Sequence, residues 1–154
     1  MVMPISRARV EDFLKAYAAR DLNKIAPFLD DNVQWKISGP IDVLPYCGMH
    51  HGKAAVIDLI GRQVPAVMKV FSFEPEILLI DGDDAATLTR LSARRTADGR
   101  IISYRIANFF RFRDDLLISN ASLLDSFDAA EQVLGHSLAV GDDTASDACD
   151  FIVV

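Results

Sequence analysis

Residues 100–113 and 116–125 alternate apolar and polar side chains, and this pattern constrains the fold more than any other feature of the chain. A period of two predicts two long β-strands, joined by a tight turn at Asp114 and Asp115. One face of the first strand carries Ile102, Tyr104, Ile106, Asn108 and Phe110, and one face of the second carries Ile118, Asn120, Ser122 and Leu124. Because apolar strand faces with a few amides and hydroxyls are typical of ligand cavities, the pair predicts a sheet that lines a pocket.

The amino-terminal part of the chain predicts two helices and a strand. Ser6 and Asp21 each precede an apolar stripe with helical spacing, so each is expected to cap a helix. The first stripe includes Phe13 and Tyr17 and is expected to cover the sheet. The segment around Trp35 alternates and predicts a strand with the indole pointing inward.

The middle of the chain predicts a long loop, a third helix and two further strands. Residues 39–52 combine prolines and glycines without a usable period, which indicates a loop. Gly52 is expected to open the third helix. Strands are expected at 70–80 and 84–96, and a short helix capped by Ser126 is expected to end the fold.

The bulk composition predicts one acidic domain. The chain has 154 residues, of which 51% are hydrophobic, and it carries a net charge of -6. This charge disfavours nucleic acid and anionic membranes as partners. Cys47 and Cys149 have no CxxC neighbour, so neither a disulfide framework nor a metal site is expected, and no cofactor is expected. The first residues do not resemble a secretory signal, and the expected location is cytoplasmic.

The order of these elements resembles the nuclear transport factor two-like superfamily over residues 6–135. The segment NFFRFRD at 108–114 and the run that ends in LLD at Asp125 are most similar to SnoaL-like polyketide cyclases and ketosteroid-isomerase-like proteins. The resemblance implies an α+β fold, in which a cone-shaped, curved and mostly antiparallel sheet packs on three helices, a cystatin-like or SnoaL-like α+β barrel. Residues 1–135 would form this single domain, and the acidic tail at 136–154 is expected to be flexible or to act as an apolar hook.

The resemblance also identifies positions where relatives carry catalytic groups. The Tyr of ketosteroid isomerases falls on Phe13, and their protonated Asp falls on Asn108. The His and Asp of SnoaL-like cyclases match Asn108 and Ser122, and the Arg of limonene-epoxide-hydrolase-like enzymes matches Arg90. The acids and bases of all three mechanisms are therefore replaced by groups that do not exchange protons near neutral pH.

The candidate site consists of the polar and aromatic residues that the pattern turns inward, with neighbouring loop residues. The catalytic candidates are Asn108 and Ser122, with His50 or Asp42 as base and Tyr17 or Tyr46 as acid. The ligand-binding candidates are Phe13, Trp35, Tyr46, Tyr104, Asn120 and Leu124. Asn108 and Asn120 also admit a purely structural interpretation, in which each satisfies the other. His50 and Asp42 admit that of solvated loop residues.

Two functions remain open from the sequence. One is binding of a small apolar carbonyl compound, with isomerisation, cyclisation or dehydration of that compound. The other is a non-catalytic ligand-binding or protein-interaction module that has lost the catalytic acids. On the opposite sheet face, Phe109 lies between Arg105 and Arg111, which together with the resemblance predicts a homodimer through this face.

Overall fold

The structure, a computed structural model, describes residues 3–139. The helices in this range are α1 (Arg7–Ala18), α2 (Leu22–Ile25), α3 (Lys53–Asp58), α4 (Val64–Val67) and α5 (Ser126–Leu134). A 3-10 turn at Ala26–Phe28 follows α2, and a π-helical turn at Leu59–Gln63 joins α3 to α4. The strands are β1 (Leu29–Ser38), β2 (Gly48–His51), β3 (Met68–Asp81), β4 (Asp84–Arg95), β5 (Ile101–Arg113) and β6 (Leu116–Leu124). Cys149 and the rest of the tail from residue 140 onward lie outside the described residues.

The six strands form one sheet in the order β2-β1-β6-β5-β4-β3. All neighbours are antiparallel except β1 and β6, which run parallel. The sheet is curved and unclosed, with helices packed on its inner face, so the predicted α+β fold with a mostly antiparallel sheet is confirmed. Within the register, Asn108 pairs with Ser122 of β6 on one side and with Thr87 of β4 on the other.

The predicted loop at 39–52 is wrong at its end, because β2 forms there. His50 pairs with Trp35 of β1 in an antiparallel register. The four residues of β2 lack β-branched side chains and are too short to show a period. Pairing with the exposed edge of β1 therefore decides this strand, and a sequence pattern does not reveal such pairing.

Side chains cap three of the helices. The predicted caps of α1 and α2 are confirmed, since Ser6 accepts from the backbone N–H of Arg9 and Asp21 accepts from that of Asn23. The predicted cap of α5 is wrong by one residue. Asp125 holds that position and its carboxylate accepts from Asp128 N at 3.2 Å. Both residue types are good caps, and the non-helical backbone needed before the first turn falls on Asp125.

Aromatic side chains fill the space between α1 and the sheet. Phe13 is fully buried, and its ring meets that of Phe110 edge-on at 5.3 Å. Tyr17 contacts Trp35 at 5.5 Å and Phe73 at 4.9 Å between ring centroids. Burial of one such side chain stabilises a fold by about 1.5–3 kcal/mol, so this part of the cone is hydrophobic core.

Helix α5 covers the part of β5 that extends beyond β6. The pairing of these two strands ends at Ile106 and Leu124, which leaves the backbone of Ser103 without a partner from β6. The side-chain amide of Gln132 replaces that strand, because its Oε1 accepts from Ser103 N at 2.7 Å and its Nε2 donates to Ser103 O at 2.9 Å.

Over residues 3–139, no helix has the length and hydropathy that crossing a bilayer requires.

Candidate functional site

Asn108, Asn120 and Ser122 form a hydrogen-bonded polar cluster on the inner face of the sheet. The hydroxyl of Ser122 donates to Asn108 Oδ1 at 2.6 Å, and Asn120 Nδ2 donates to Ser122 Oγ at 2.9 Å. A longer contact of 3.4 Å joins Asn120 Nδ2 to Asn108 Oδ1. All three side chains are at most 2% exposed. The alternation of β5 and β6 positions them, because every second side chain of both strands points to the core.

Two of the five polar side-chain atoms of the cluster have no hydrogen-bond partner among the described residues. Asn108 Nδ2 and Asn120 Oδ1 are buried without a partner among residues 3–139, and so are Trp35 Nε1 and the hydroxyls of Thr87 and Thr89. Trp35 stands beside Asn120 in the pairing of β1 with β6, and Thr87 stands beside Asn108 in that of β4 with β5. Two donors, one acceptor and two hydroxyls therefore face the interior of the cone.

These unpaired atoms are too costly to be explained by packing alone. Leaving a buried donor or acceptor unpaired costs about 1–3 kcal/mol. Five of them approach the whole stability of an ordinary domain, which is about 5–15 kcal/mol. A polar partner that enters the cone, either a ligand or water, would recover this free energy.

Tyr46 and Tyr104 form a second buried pair on the inner face. Their hydroxyls lie 3.2 Å apart, and that of Tyr104 lies 3.7 Å from the sulfur of Met68. Burial raises the pKa of Tyr46 to about 12. Burial, reinforced by Tyr46, also raises the pKa of Tyr104 well above its usual value. Both phenols are therefore neutral at physiological pH and serve as hydrogen-bonding groups rather than as bases.

His50 is a half-buried strand residue and not a solvated loop residue. It follows Phe110, Asn120 and Trp35 in one row across the sheet, on the inner face. Its Nε2 lies 2.9 Å from the backbone oxygen of Tyr46. A carbonyl oxygen only accepts, so Nε2 carries the proton and Nδ1 is left as the basic nitrogen. His50 is separated from Asn120 by two strand spacings, roughly 10 Å.

The remaining candidates divide between core, rim and surface. Phe13 and Tyr17 are packed in the aromatic core described above. Leu124 is half-buried at the end of β6, and Asp42 is exposed in the turn before β2. Asp42 is therefore a surface residue, whereas the polar cluster is buried.

Arg90, which matched a catalytic Arg by resemblance, does not reach the interior. It lies on the outer face of β4 and pairs with Glu76 at 3.2 Å. The inward residues of β4 include Thr87 and Thr89, which the sequence interpretation missed. The signal was present in the alternation of β4, since Thr87 and Thr89 share the parity of the apolar Leu91 and not that of Arg90.

The outer face of the sheet carries an open groove of about 540 Å³, lined mostly by outward residues such as Phe109 and Ala121, and Asn120 also contributes to its lining. Large apolar side chains stand exposed on this face, and they include Met49, Phe71, Leu79, Phe109 and Leu123. Phe109 is 51% exposed, and beside it Arg111 forms a bidentate pair with Asp84. The inner face, by contrast, is closed by buried aromatic rings and by the segment that carries Tyr46, so the ligand pocket expected from the sequence stays a prediction.

The curved sheet, its helices and the inward polar cluster define a protein of the nuclear transport factor two-like class. A family model described as SnoaL-like domain matches residues 10–120, and the chain belongs to this family. The comparison with curated proteins gave no match.

Solved structures are similar over most of the chain. A putative isomerase from Rhodopseudomonas palustris is 34% identical, with a TM-score of 0.72, over 82% of this chain and 93% of that one. An NTF2-like protein of unknown function from Burkholderia pseudomallei is 20% identical, with a TM-score of 0.74, over 82% and 95% of the two chains. A protein from Catenulispora acidiphila with a ketosteroid isomerase-like fold, in complex with trimethylamine, is 11% identical, with a TM-score of 0.62, over 77% and 85%. The family match and the 34% identical structure support a SnoaL-like protein, and the other two similarities show the shared fold.

Proposed function

We propose that the protein binds a small apolar carbonyl compound inside the cone, with the carbonyl oxygen at the polar cluster. The observation that carries this proposal is the set of buried, unpaired polar atoms around Asn108. An amide N–H and an indole N–H are donors only, and they suit a ligand oxygen. Asn120 Oδ1 and the two threonine hydroxyls suit a ligand hydroxyl, and the surrounding aromatic rings suit a planar or cyclic body.

Binding is better supported than catalysis at the cluster itself. Proton transfer requires an acid or base within about 2.6–3.2 Å of the reacting group, or one water away. Among residues 3–139, the hydrogen-bonding neighbours of the Asn108 amide are Asn120 and Ser122, and neither exchanges protons near neutral pH. The proposed function is therefore a cofactor-independent ligand-binding protein.

His50 favours a second candidate function. Its position in the row of Asn120 and Trp35, with Nδ1 as the basic nitrogen, would let it reach a ligand whose oxygen is held at the cluster. A ring-sized ligand spans the separation of roughly 10 Å between these strands. An isomerase, cyclase or dehydratase of a carbonyl compound would use His50 as base and the cluster to stabilise an enolate-like oxygen.

A thermal-shift screen of steroid-like, polyketide-like and terpene-like ketones tests the binding function. A ligand at 100 times its dissociation constant stabilises the native state by about 2.7 kcal/mol, which raises Tm by roughly 5–10 °C. Asn108→Ala should abolish that shift. The matched control is Asn32→Ala on β1, which replaces an exposed Asn and should keep the shift. Equal shifts in the wild type and in Asn108→Ala would place the ligand elsewhere.

The catalytic candidate has its own readout. If a ketone found in the screen is turned over, His50→Gln should reduce kcat strongly while KM changes little, because the base acts on the bound ligand. His51→Gln, an exposed neighbour, is the control. If a ketone binds but is not turned over, the ligand-binding function is supported and the enzymatic function is refuted.

For the outer face we propose a homodimer. The exposed apolar residues of this face and the groove between them support an interface, since such patches are uncommon on monomers. Phe109→Asp would place a negative charge within this apolar interface. The variant should therefore sediment as a monomer in analytical ultracentrifugation and should retain ligand binding. A wild type that sediments as a monomer would refute this assembly.

A further inference from the structure

An apolar cleft with two cationic residues lies beside the start of β3, outside the polar cluster. It has a volume of about 320 Å³. Its apolar walls include Leu22, Ile60, Val64 and Met68, and its cationic lining residues are Arg20 and Lys69. The volume is near the lower end of the range for small-molecule sites, which is about 300–1,000 Å³.

Arg20 is held in this cleft by its backbone and by two aromatic rings. Its φ is 55°, a left-handed conformation that is uncommon for residues other than glycine. Its guanidinium carbon lies 4.4 Å from the ring centre of Tyr17 and 5.3 Å from that of Phe73. Cation–π contacts of this kind fix the orientation of the guanidinium and do not neutralise its charge.

Several arginines of the chain form an ion pair with a carboxylate, but the guanidinium of Arg20 forms none among residues 3–139. Arg62, Arg95 and Arg111 are each paired with an aspartate. Arg20 Nε is buried and has no hydrogen-bond partner among residues 3–139, and no carboxylate in that range forms an ion pair with Arg20. Acidic side chains are abundant in this chain, whose net charge is -6, so the missing partner is not explained by a shortage of carboxylates.

A small organic anion would supply what this cleft lacks. A carboxylate accepts two parallel N–H bonds from a guanidinium, and these charge-assisted bonds are about twice as strong as neutral ones. Lys69 adds a second positive charge at the same cleft, and the apolar walls provide contact for a hydrocarbon body. Met68 forms the inner wall, and its sulfur lies 3.7 Å from the Tyr104 hydroxyl.

We propose that this cleft is a binding site for a small apolar monocarboxylate, with the carboxylate on Arg20 and the hydrocarbon chain against Ile60, Val64 and Met68. The site uses none of the residues of the polar cluster, and the proposal does not depend on the carbonyl-binding function. It would give the protein a second ligand, next to Met68, whose sulfur also lies near the Tyr104 hydroxyl.

Calorimetric titration of the full chain with octanoate and with 1-octanol tests the proposal. The two probes share their hydrocarbon chain and differ in the charge. Hydrogen bonds to charged groups contribute about 1.5–3 kcal/mol, so octanoate should bind roughly 10–100-fold more tightly than 1-octanol. Arg20→Gln should remove that preference, and Lys69→Gln, at an exposed position, should reduce it.

Arg113→Gln is the matched control, because it removes the same charge from an exposed position at the far end of β5. It should leave octanoate binding unchanged, and so should Asn108→Ala. Unfolding curves of the ligand-free variants show whether Arg20→Gln is folded; if it is not, Lys69→Gln and the comparison of the two probes decide. Failure of octanoate to bind, equal affinity for 1-octanol, or loss of octanoate binding in Asn108→Ala would each overturn the proposal.

Discussion

Replacing Thr89 by valine should stabilise the ligand-free protein, which is unusual for a change in a buried strand. The Thr89 side chain is fully buried on the inner face of β4, and its hydroxyl has no partner among residues 3–139. Valine has nearly the same shape, so the change removes one unpaired hydroxyl, worth about 1–3 kcal/mol, and buries a methyl group instead. We expect the free energy of unfolding to rise by about 1–2 kcal/mol, and Tm to rise by roughly 2–8 °C.

Urea unfolding followed by the fluorescence of Trp35 measures this change, provided that the slope of the transition is the same in both proteins. Thr96→Val is the matched control, because Thr96 Oγ1 donates to the backbone oxygen of Pro65 at 2.9 Å. Losing that bond should lower stability by about 0.5–1.5 kcal/mol, the opposite sign. A loss of 1 kcal/mol or more in Thr89→Val would refute the reasoning, because it would mean that the hydroxyl is already satisfied in the ligand-free protein.

Two further predictions concern titratable groups. The side chain of Arg95 and the backbone N–H of Arg100 hold the pKa of Asp98 at about 2, below the unfolded value of about 3.9. The stabilisation by Asp98 is therefore complete above the unfolded pKa and is lost as the pH falls toward 2. In Asp98→Asn, the free energy of unfolding should fall less as the pH is lowered through that window. An unchanged pH dependence of this free energy would contradict the assignment. Burial raises the pKa of Cys47 to about 11. In a Cys149→Ser variant at mildly alkaline pH, iodoacetamide should therefore label Cys47 only after the protein is unfolded in urea. Rapid labelling of the folded protein would contradict this, because it would show that the thiol is accessible.

The alternation predicted the inner face of β5 correctly, and that of β6 at Asn120 and Ser122, because a buried strand face enforces a period of two. It was wrong at Ile118, because an irregularity in the pairing with β5 buries Leu117 instead. It placed Asn108, Asn120 and Ser122 on the same side, and the register brings them into hydrogen-bonding distance. The alternation of β4 likewise indicates Thr87 and Thr89 as inward residues. The resemblance instead identified Arg90 of that strand as a candidate, and Arg90 lies on the outer face, where it is paired with Glu76.

Other features of the site depend on tertiary contacts that leave no local pattern. β2 exists because the edge of β1 pairs with it, and this pairing is what turns His50 inward. The cleft around Arg20 requires a left-handed residue after α1 and close approach of α2 to the π-helical turn. At Gly61 in that turn, an added Cβ would lie 2.7 Å from Leu22 Cδ1, so packing fixes this approach and no spacing in the sequence indicates it.

The indole N–H resonance of Trp35 tests the central claim most directly, because the chain has a single tryptophan and its Nε1 is buried without a partner among residues 3–139. Indanone and indane differ only in the carbonyl group and form a matched pair of probes. On titration followed by proton–nitrogen NMR, indanone should move the indole cross-peak downfield and slow its exchange with water, and indane should do neither. A cross-peak that does not shift with indanone, or that shifts equally with indane, would contradict a carbonyl site at the polar cluster.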